Sequence, residues 1–564
     1  MDYRLRQDID AKLQGEIGTI YKADQGDTSV ALIYPNTYYV GMSNLGFQAI
    51  YGFLNEIEGV RCERAFLPEP EALALYEQTH TALCSYESQT PLNAFAVVAF
   101  SVSFENDYPN ILKILELAQI PLKAADRKDD DPYLLLGGAV TTINPEPLAM
   151  FFDLAVIGDG ECVLAQLIAA YRRFAGKPAR QAFLEDAAAI PGVYVPSLYA
   201  VEYDERGLMQ RIAPRHPAPA TVTQCVLPAL ADYPAYSRIL TENTEFGGLF
   251  LLQINRGCPY RCRFCHTGYT QQPLRHLPLD VALRLIRLGL QYRDRIGLIG
   301  AAVAEYPHLR ELCAAITAAG GKISVSSLRM STLAESDGLL QALLAAGQKT
   351  ITLAPEAGTE RLRKMARKAL SDQALAAAIE RVASAHVPHL KLYFLVGLPT
   401  ETDADVEAII DVCRKCHHLM LKAAQSQGKM GKMTISVNPF VPKPFTPLQW
   451  APMAAEGELK RKIARIKQAL RRLSQSEVIH ELPKWAVWQG ILARGDRKLG
   501  HVLLLMLQYE GDWKKAFREL NLHPDFYVHR SRRDDELLPW QHLQVGASPQ
   551  ALREEYHHIS EVPL

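Results

Sequence analysis

Asn255-Arg-Gly-Cys258-Pro-Tyr-Arg-Cys262-Arg-Phe264-Cys265-His266 sets three thiols at a CxxxCxxC spacing directly after the apolar run LFLLQIN (249–255). A loop at the carboxyl end of a parallel strand is where α/β barrels gather their chemistry. Thiolates are the protein ligands of iron–sulfur clusters, and a cubane has four irons, so three cysteines leave one iron open. Structural zinc is the competing reading. It takes four Cys or His ligands, and His266 is the one nearby candidate for the fourth.

Downstream of the triad the strand-like runs recur: IGLIGAAV (296–303), KISVSSL (322–328), KTITLAP (349–355), LKLYFLV (390–396) and KMTISVNPF (432–440). With LFLLQIN they make six βα units, too few for the eight of a closed barrel. The expectation is an open (β/α)6 partial barrel over residues 246–450. Beyond Trp450 the pattern reads as helix only, a helical C-terminal domain over 451–564. In it Leu459, Ile463, Ile466, Leu470 and Leu473 share one face, while Lys460, Arg461, Arg465, Lys467, Arg471 and Arg472 cover the others. A solvated outer face explains such a basic helix more often than RNA contact does.

Upstream, five short apolar runs alternate with amphipathic stretches: SVALIYP, RCERAFLP, AVVAFSVSF, YLLLGGAV and LAVIGDG. That alternation predicts a doubly wound parallel sheet over residues 28–190, after an N-terminal extension at 1–27. Residues 191–245 are rich in Pro and Tyr with little periodicity, and read as a linker with room for a small hairpin. The fold class is therefore α/β: a doubly wound sheet, then a partial barrel, then helices.

The 564 residues carry 61 Lys and Arg against 62 Asp and Glu, a net charge of -1, so no global field draws the chain to nucleic acid or to an anionic membrane. The N-terminus is polar from the start and no apolar stretch reaches the length of a membrane span, so a cytoplasmic location is expected. Ten cysteines in a chain of this length do not make a disulfide framework. Cys413 and Cys416 form a second CxxC, with His417 and His418 beside them, but they lie inside the helical pattern DVEAIIDVCRKCHHLM, where helix packing is the favoured reading over a second metal site.

The CxxxCxφC motif, with Phe264 as the aromatic residue before the last cysteine, resembles the signature of the radical S-adenosylmethionine (SAM) superfamily. The resemblance implies a 4Fe-4S cluster on Cys258, Cys262 and Cys265, with SAM chelating the open iron and cleaving to a 5'-deoxyadenosyl radical. It also implies a (β/α)6 partial barrel, the architecture counted above. The family's GGE-like motif, which receives the SAM amino group, corresponds here to LIGAAVAEYP around Gly300 and Ala301, without the GGE letters. SSLRM, APEAGTERLR, LVGLPTET and NPFVPKPFTPLQW resemble segments of the branch that includes methylthiotransferases and cobalamin-binding members. On that basis Phe264, Gly300, Ala301, Ser326, Arg329, Glu356 and Arg361 are the candidate SAM contacts. A rim salt bridge is the alternative role for the polar ones.

A doubly wound domain ahead of such a barrel resembles the cobalamin-binding domain of the B12-dependent branch, and the whole chain resembles cobalamin-domain/radical SAM fusions. That domain carries DxHxxG, whose His ligates cobalt from below. The same place here reads Asn36-Thr-Tyr38-Tyr-Val-Gly41. Ser101 and Ser103, Gly137 and Gly138, and Gly158-Asp-Gly160-Glu161 end the third, fourth and fifth runs, at the carboxyl edge where such sheets bind ligands. The expectation is cobalamin bound without a protein His below the cobalt, with a domain that has lost the cofactor as the alternative.

The leading functional expectation is a cobalamin-dependent radical SAM enzyme that abstracts hydrogen from an unactivated carbon, with methyl transfer from methylcobalamin as a further step left open, fed electrons by a flavodoxin- or ferredoxin-type protein. A methylthiotransferase-like modifier of RNA or protein is one rival, but its second three-cysteine cluster is not met by the scattered Cys62, Cys84 and Cys162. A non-catalytic iron–sulfur redox protein is the other.

Overall fold

The computed structural model describes residues 2–22, 27–335, 338–425 and 430–559. Thr28–Tyr34, Val60–Phe66, Val97–Ser101, Tyr133–Gly137 and Leu154–Val156 form one parallel sheet in the order second, first, third, fourth, fifth, and Val193–Tyr194 adds an antiparallel edge. Both faces are covered, which is why the first run is apolar without alternation, burying Val30 through Tyr34. The strand order reverses between the first and third strands, which creates a switch-point crevice at their carboxyl ends. Helix Leu45–Glu56 starts at that crevice, capped by Asn44, whose Oδ1 accepts from Phe47 N at 2.9 Å. The N-terminal helix Tyr3–Gln14 docks through buried Leu5 and Ile9.

The six expected barrel strands are present, and all neighbours pair in parallel. The third is broken at exposed Ser326: Lys322–Val325 pairs back to the second strand, and Ser327–Leu328 pairs forward to the fourth. The expectation of helix only after Trp450 is corrected by a seventh strand, Ser476–Ile479, which extends the sheet beyond Lys432–Pro439. The basic helix Glu456–Leu470 is therefore the crossover into that strand. Its Lys462 reaches Glu401 at 2.7 Å and its Arg465 reaches Glu407 at 2.5 Å, so part of its positive face is engaged by acids of the barrel.

Residues 191–245 contain the hairpin Tyr199–Tyr203 with Met209–Pro214, and Val222–Thr223, which pairs with Leu543–Gln544 near the C-terminus. Sheet, barrel and C-terminal helices meet through buried polar groups. Glu105 accepts from Lys443 and, at 2.9 Å, from Gln489. Asn144 Nδ2 donates to Gly495 O at 2.7 Å, and Arg497 Nε donates to Glu146 at 2.7 Å. No described helix is long and apolar enough to cross a membrane.

Candidate functional site

Asn255 leads out of the first barrel strand, and its side chain stitches the triad loop to the next strand. Its Nδ2 donates to Ala302 O at 2.7 Å, and a Cβ at Gly300 would stand 2.1 Å from its Oδ1. Gly300 is thus required by close approach to Asn255, whereas neighbouring Ala301 is exposed. Gly257, at φ +92°, turns the chain into the cysteines.

Burial raises all three thiols above their ordinary value. Several groups oppose it. The Tyr260 N–H points at Cys258, and the Gly268 and Thr267 N–H groups point at Cys265. Arg329 and Lys368 act electrostatically on both Cys258 and Cys262. These groups offset burial only in part and leave the thiols above their ordinary value, so iron itself would have to draw them into the thiolate form that binds it.

His266 supplies no fourth ligand. Its Nδ1 lies 3.2 Å from Pro444 O and its Nε2 3.3 Å from Thr142 Oγ1. Burial lowers its pKa to about 4, so the ring is neutral. No group of three or more His, Cys, Asp or Glu among the described residues is close enough to hold a single ion. Three thiols on three irons of a cubane need not converge on one point, so the donor set fits the cluster and disfavours zinc.

The other candidates divide. The Arg329 guanidinium lies 3.4 Å from the Tyr260 ring centroid, and Tyr260 OH donates to Glu305 at 2.6 Å. Glu356 acts electrostatically on Cys262 and Cys265, and it pairs with Lys368 at 2.9 Å. It sits at φ +70°, a left-handed conformation rarely held by a residue with a Cβ. Phe264 packs on the apolar cluster of Ala357, Leu362, Met365, Leu398 and Phe440, from the helix Glu360–Met365 and the segments that follow the fourth, fifth and sixth strands. Ser326 is exposed at the break in the third strand. Arg361 is engaged elsewhere: it pairs with Asp405 at 2.5 Å and donates to Thr400 O at 2.9 Å, the rim salt bridge that was its alternative role. Lys368, Tyr260 and Glu305 were not singled out from the sequence. No spacing links Lys368 or Glu305 to the triad, although Tyr260 lies inside it.

Above the triad lies a cavity of about 530 Å³ at the carboxyl edge of the first sheet. Ser101, Ser103, Gly137, Gly138, Gly158 and Gly160 line it from the sheet side, and Leu251, Gln253, Arg256 and Ile299 from the barrel. At Gly137 an added Cβ would meet only Phe100 O, at 3.6 Å, so the space there is open. Thr142 lines the same cavity and joins it to His266, next to Cys265. On the other side Arg256 pairs with Asp159 at 3.0 Å and Glu161 at 3.1 Å, tying the GDGE loop to the triad loop.

Asn36, Tyr38 and Gly41 do not line this cavity. Asn36 donates to Asp107 at 2.8 Å. Tyr38 is buried, stacked on Tyr86 at 5.7 Å, and its OH donates to Glu16 at 2.6 Å. Gly41 packs against Phe66, whose ring atoms would lie 2.5 Å from an added Cβ. The residue in the His position thus belongs to an aromatic core. Cys62 and Cys84 are buried in core packing, as are Cys413 and Cys416 on their helix, which favours packing over metal binding for the second CxxC.

Residues 252–413 match the family described as the radical SAM superfamily, and residues 46–196 match radical SAM proteins, N-terminal. An uncharacterised protein of Methanocaldococcus jannaschii is 31% identical over 479 residues, 84% of this chain and 90% of that protein. A protein of Pyrococcus horikoshii named as an uncharacterised methyltransferase is 23% identical, over 52% of this chain and 60% of its own length. Among solved structures, the cobalamin-dependent S-adenosylmethionine radical enzyme OxsB, with aqua-cobalamin and S-adenosylmethionine bound, aligns with a TM-score of 0.48 at 15% identity. That alignment covers 68% of this chain, which spans about half of OxsB, 51% of its length.

Proposed function

The chain belongs to the radical SAM superfamily, and from that premise we propose that it is a cobalamin-dependent radical SAM enzyme that methylates an unactivated carbon. The observation that carries the cobalamin half is the cavity itself, walled jointly by the sheet's carboxyl edge and by the carboxyl ends of the first two barrel strands. No histidine is among its lining residues, so a corrin there would be held by other groups of this chain. The name of the Pyrococcus horikoshii relative agrees with methyl transfer.

When bound, the cluster supplies the electron that splits SAM to a 5'-deoxyadenosyl radical, and a corrin would supply the methyl group. The chain's residues bind and orient. Cys258, Cys262 and Cys265 would hold three irons. Arg329, kept flat against Tyr260, would grip the SAM carboxylate, and Phe264 with its apolar neighbours would receive the adenine. Lys368 neutralises Glu356 beside the triad. Gly137, Gly138, Ser101 and Ser103 would let a flat ring approach the sheet backbone, as small residues at such an edge allow. Electrons would come from a small flavodoxin- or ferredoxin-type protein.

Arg329→Ala tests the SAM contact. A hydrogen bond to a charged group contributes about 1.5–3 kcal/mol, so KM for SAM should rise about 10- to 100-fold with iron content unchanged. An unchanged KM would remove Arg329 from the SAM site.

The cobalamin reading is tested by anaerobic purification with hydroxocobalamin, followed by visible spectra and iron and cobalt counts. Wild type should retain both metals. Gly137→Val, whose Cβ the backbone admits, should lower cobalt retention about tenfold by crowding the cavity while keeping iron. Iron without cobalt in wild type would sink the cobalamin half and leave the radical half standing.

A further inference from the structure

The last described helix, Pro549–His557, follows a strap that runs along the back of the triad loop and lies outside both family-matched regions. Gly546, at φ +61°, passes so close to the chain after Cys265 that an added Cβ would stand 1.9 Å from Tyr269 O. From the helix, Glu555 Oε1 accepts from Arg263 Nε at 2.9 Å, and its Oε2 lies 3.1 Å from Arg367 Nη1. Arg263 stands between Cys262 and Cys265. It is itself tied down on the other side, with Nη1 donating to Met365 O at 2.7 Å and its backbone N to Ala366 O at 3.0 Å. The next residue, Tyr556, packs with Ile559, just past the helix, against the apolar cluster that holds Phe264.

We propose that Glu555 is a positioning residue for the cluster-binding loop: its carboxylate holds Arg263 between the second and third cysteines and makes the C-terminal helix one wall of the radical site. The proposal rests on the superfamily chemistry of the triad and is independent of cobalamin.

Arg263 is only 8% exposed, so its charge is poorly screened by water and Glu555 is the carboxylate that balances it. A cubane with three thiolates is anionic and becomes more so on reduction. A cation left without its counter-ion beside the loop therefore favours the reduced form, and loss of a cation favours the oxidised form. Glu555→Gln frees the positive charge of Arg263, and Arg263→Gln removes that charge and leaves Glu555 paired with Arg367. The two substitutions thus have opposite electrostatic signs, and both break the contact between Glu555 and Arg263. Each releases the loop from the helix.

The experiment uses the full-length chain. In anaerobically reconstituted protein, the cluster midpoint potential is read by dithionite titration with EPR detection. In metal-free protein, hydrogen exchange is followed over residues 258–266. Glu555→Gln should shift the potential to more positive values and Arg263→Gln to more negative ones, and both should speed exchange in the loop several-fold. Unchanged potentials, or shifts of the same sign in both variants, would overturn the proposal and leave the helix as a cover. So would loop exchange equal to wild type. Failure of the wild type to hold iron would instead count against the cluster reading, and the exchange comparison would still decide whether Glu555 positions the loop.

Discussion

Cys262→Ala should reduce the iron held after anaerobic reconstitution from about four per chain to below one, since the cubane keeps only two of its three protein ligands. Formation of 5'-deoxyadenosine from SAM and dithionite should fall below detection, a loss of at least about a thousandfold. Cys262 is buried, and the charges acting on it include Arg329 and Lys368. The fold should survive, because the loop is also held by Asn255, by Arg263 and by the pairing of Asn255 and Arg256 with Arg275 and His276. Cys413→Ala is the matched control, and its iron count should equal that of wild type.

Arg64→Ala should be the most damaging single change away from the site, costing about 3–5 kcal/mol because it leaves buried carboxylates without their cation. Arg64 is 0% exposed on the second sheet strand. Its Nη2 lies 2.7 Å from Glu16 and its Nε 2.6 Å from Glu87, so it welds the N-terminal segment and the turn at Glu87 to the sheet. Burial raises Glu87, while Arg64, against burial, holds Glu16 below the ordinary carboxylate value. In wild type the Glu16 contribution is present above its unfolded value and is lost as pH falls through the lower folded one. In Arg64→Ala burial acts on Glu16 against only the hydrogen bonds from Thr19 and Tyr38, so its folded value rises. The penalty is then fullest at neutral pH and shrinks as acid protonates the carboxyls. Urea midpoints measured at pH 7 and near pH 4 check both the size and the sign.

The first sheet was legible because its inner strands are buried on both faces and read as apolar runs, and the barrel because its strands keep a buried apolar residue at every second position, as in Thr350–Glu356 and His389–Val396. Ser476–Ile479 escaped because it is a short edge strand whose residues are alternately half-buried and exposed, leaving no such run. The basic helix before it read as a solvated face because its ion-pair partners, Glu401 and Glu407, come from another element. Within the site, spacing alone exposed the triad, since its three residues share one loop. Arg329 could be singled out only through the resemblance of SSLRM, and Lys368, Glu305 and Glu555 had no comparable local sign. Tyr38 shows the opposite limit. Its place in the chain matches that of a ligand, yet packing turns it into the core beside Phe66 and Tyr86.

The most direct test is to incubate anaerobically reconstituted wild-type protein with SAM and dithionite and to quantify 5'-deoxyadenosine against the Cys262→Ala control. The site described here predicts 5'-deoxyadenosine from the wild type and none from the variant. A wild-type protein that retains its iron yet leaves SAM intact would contradict it.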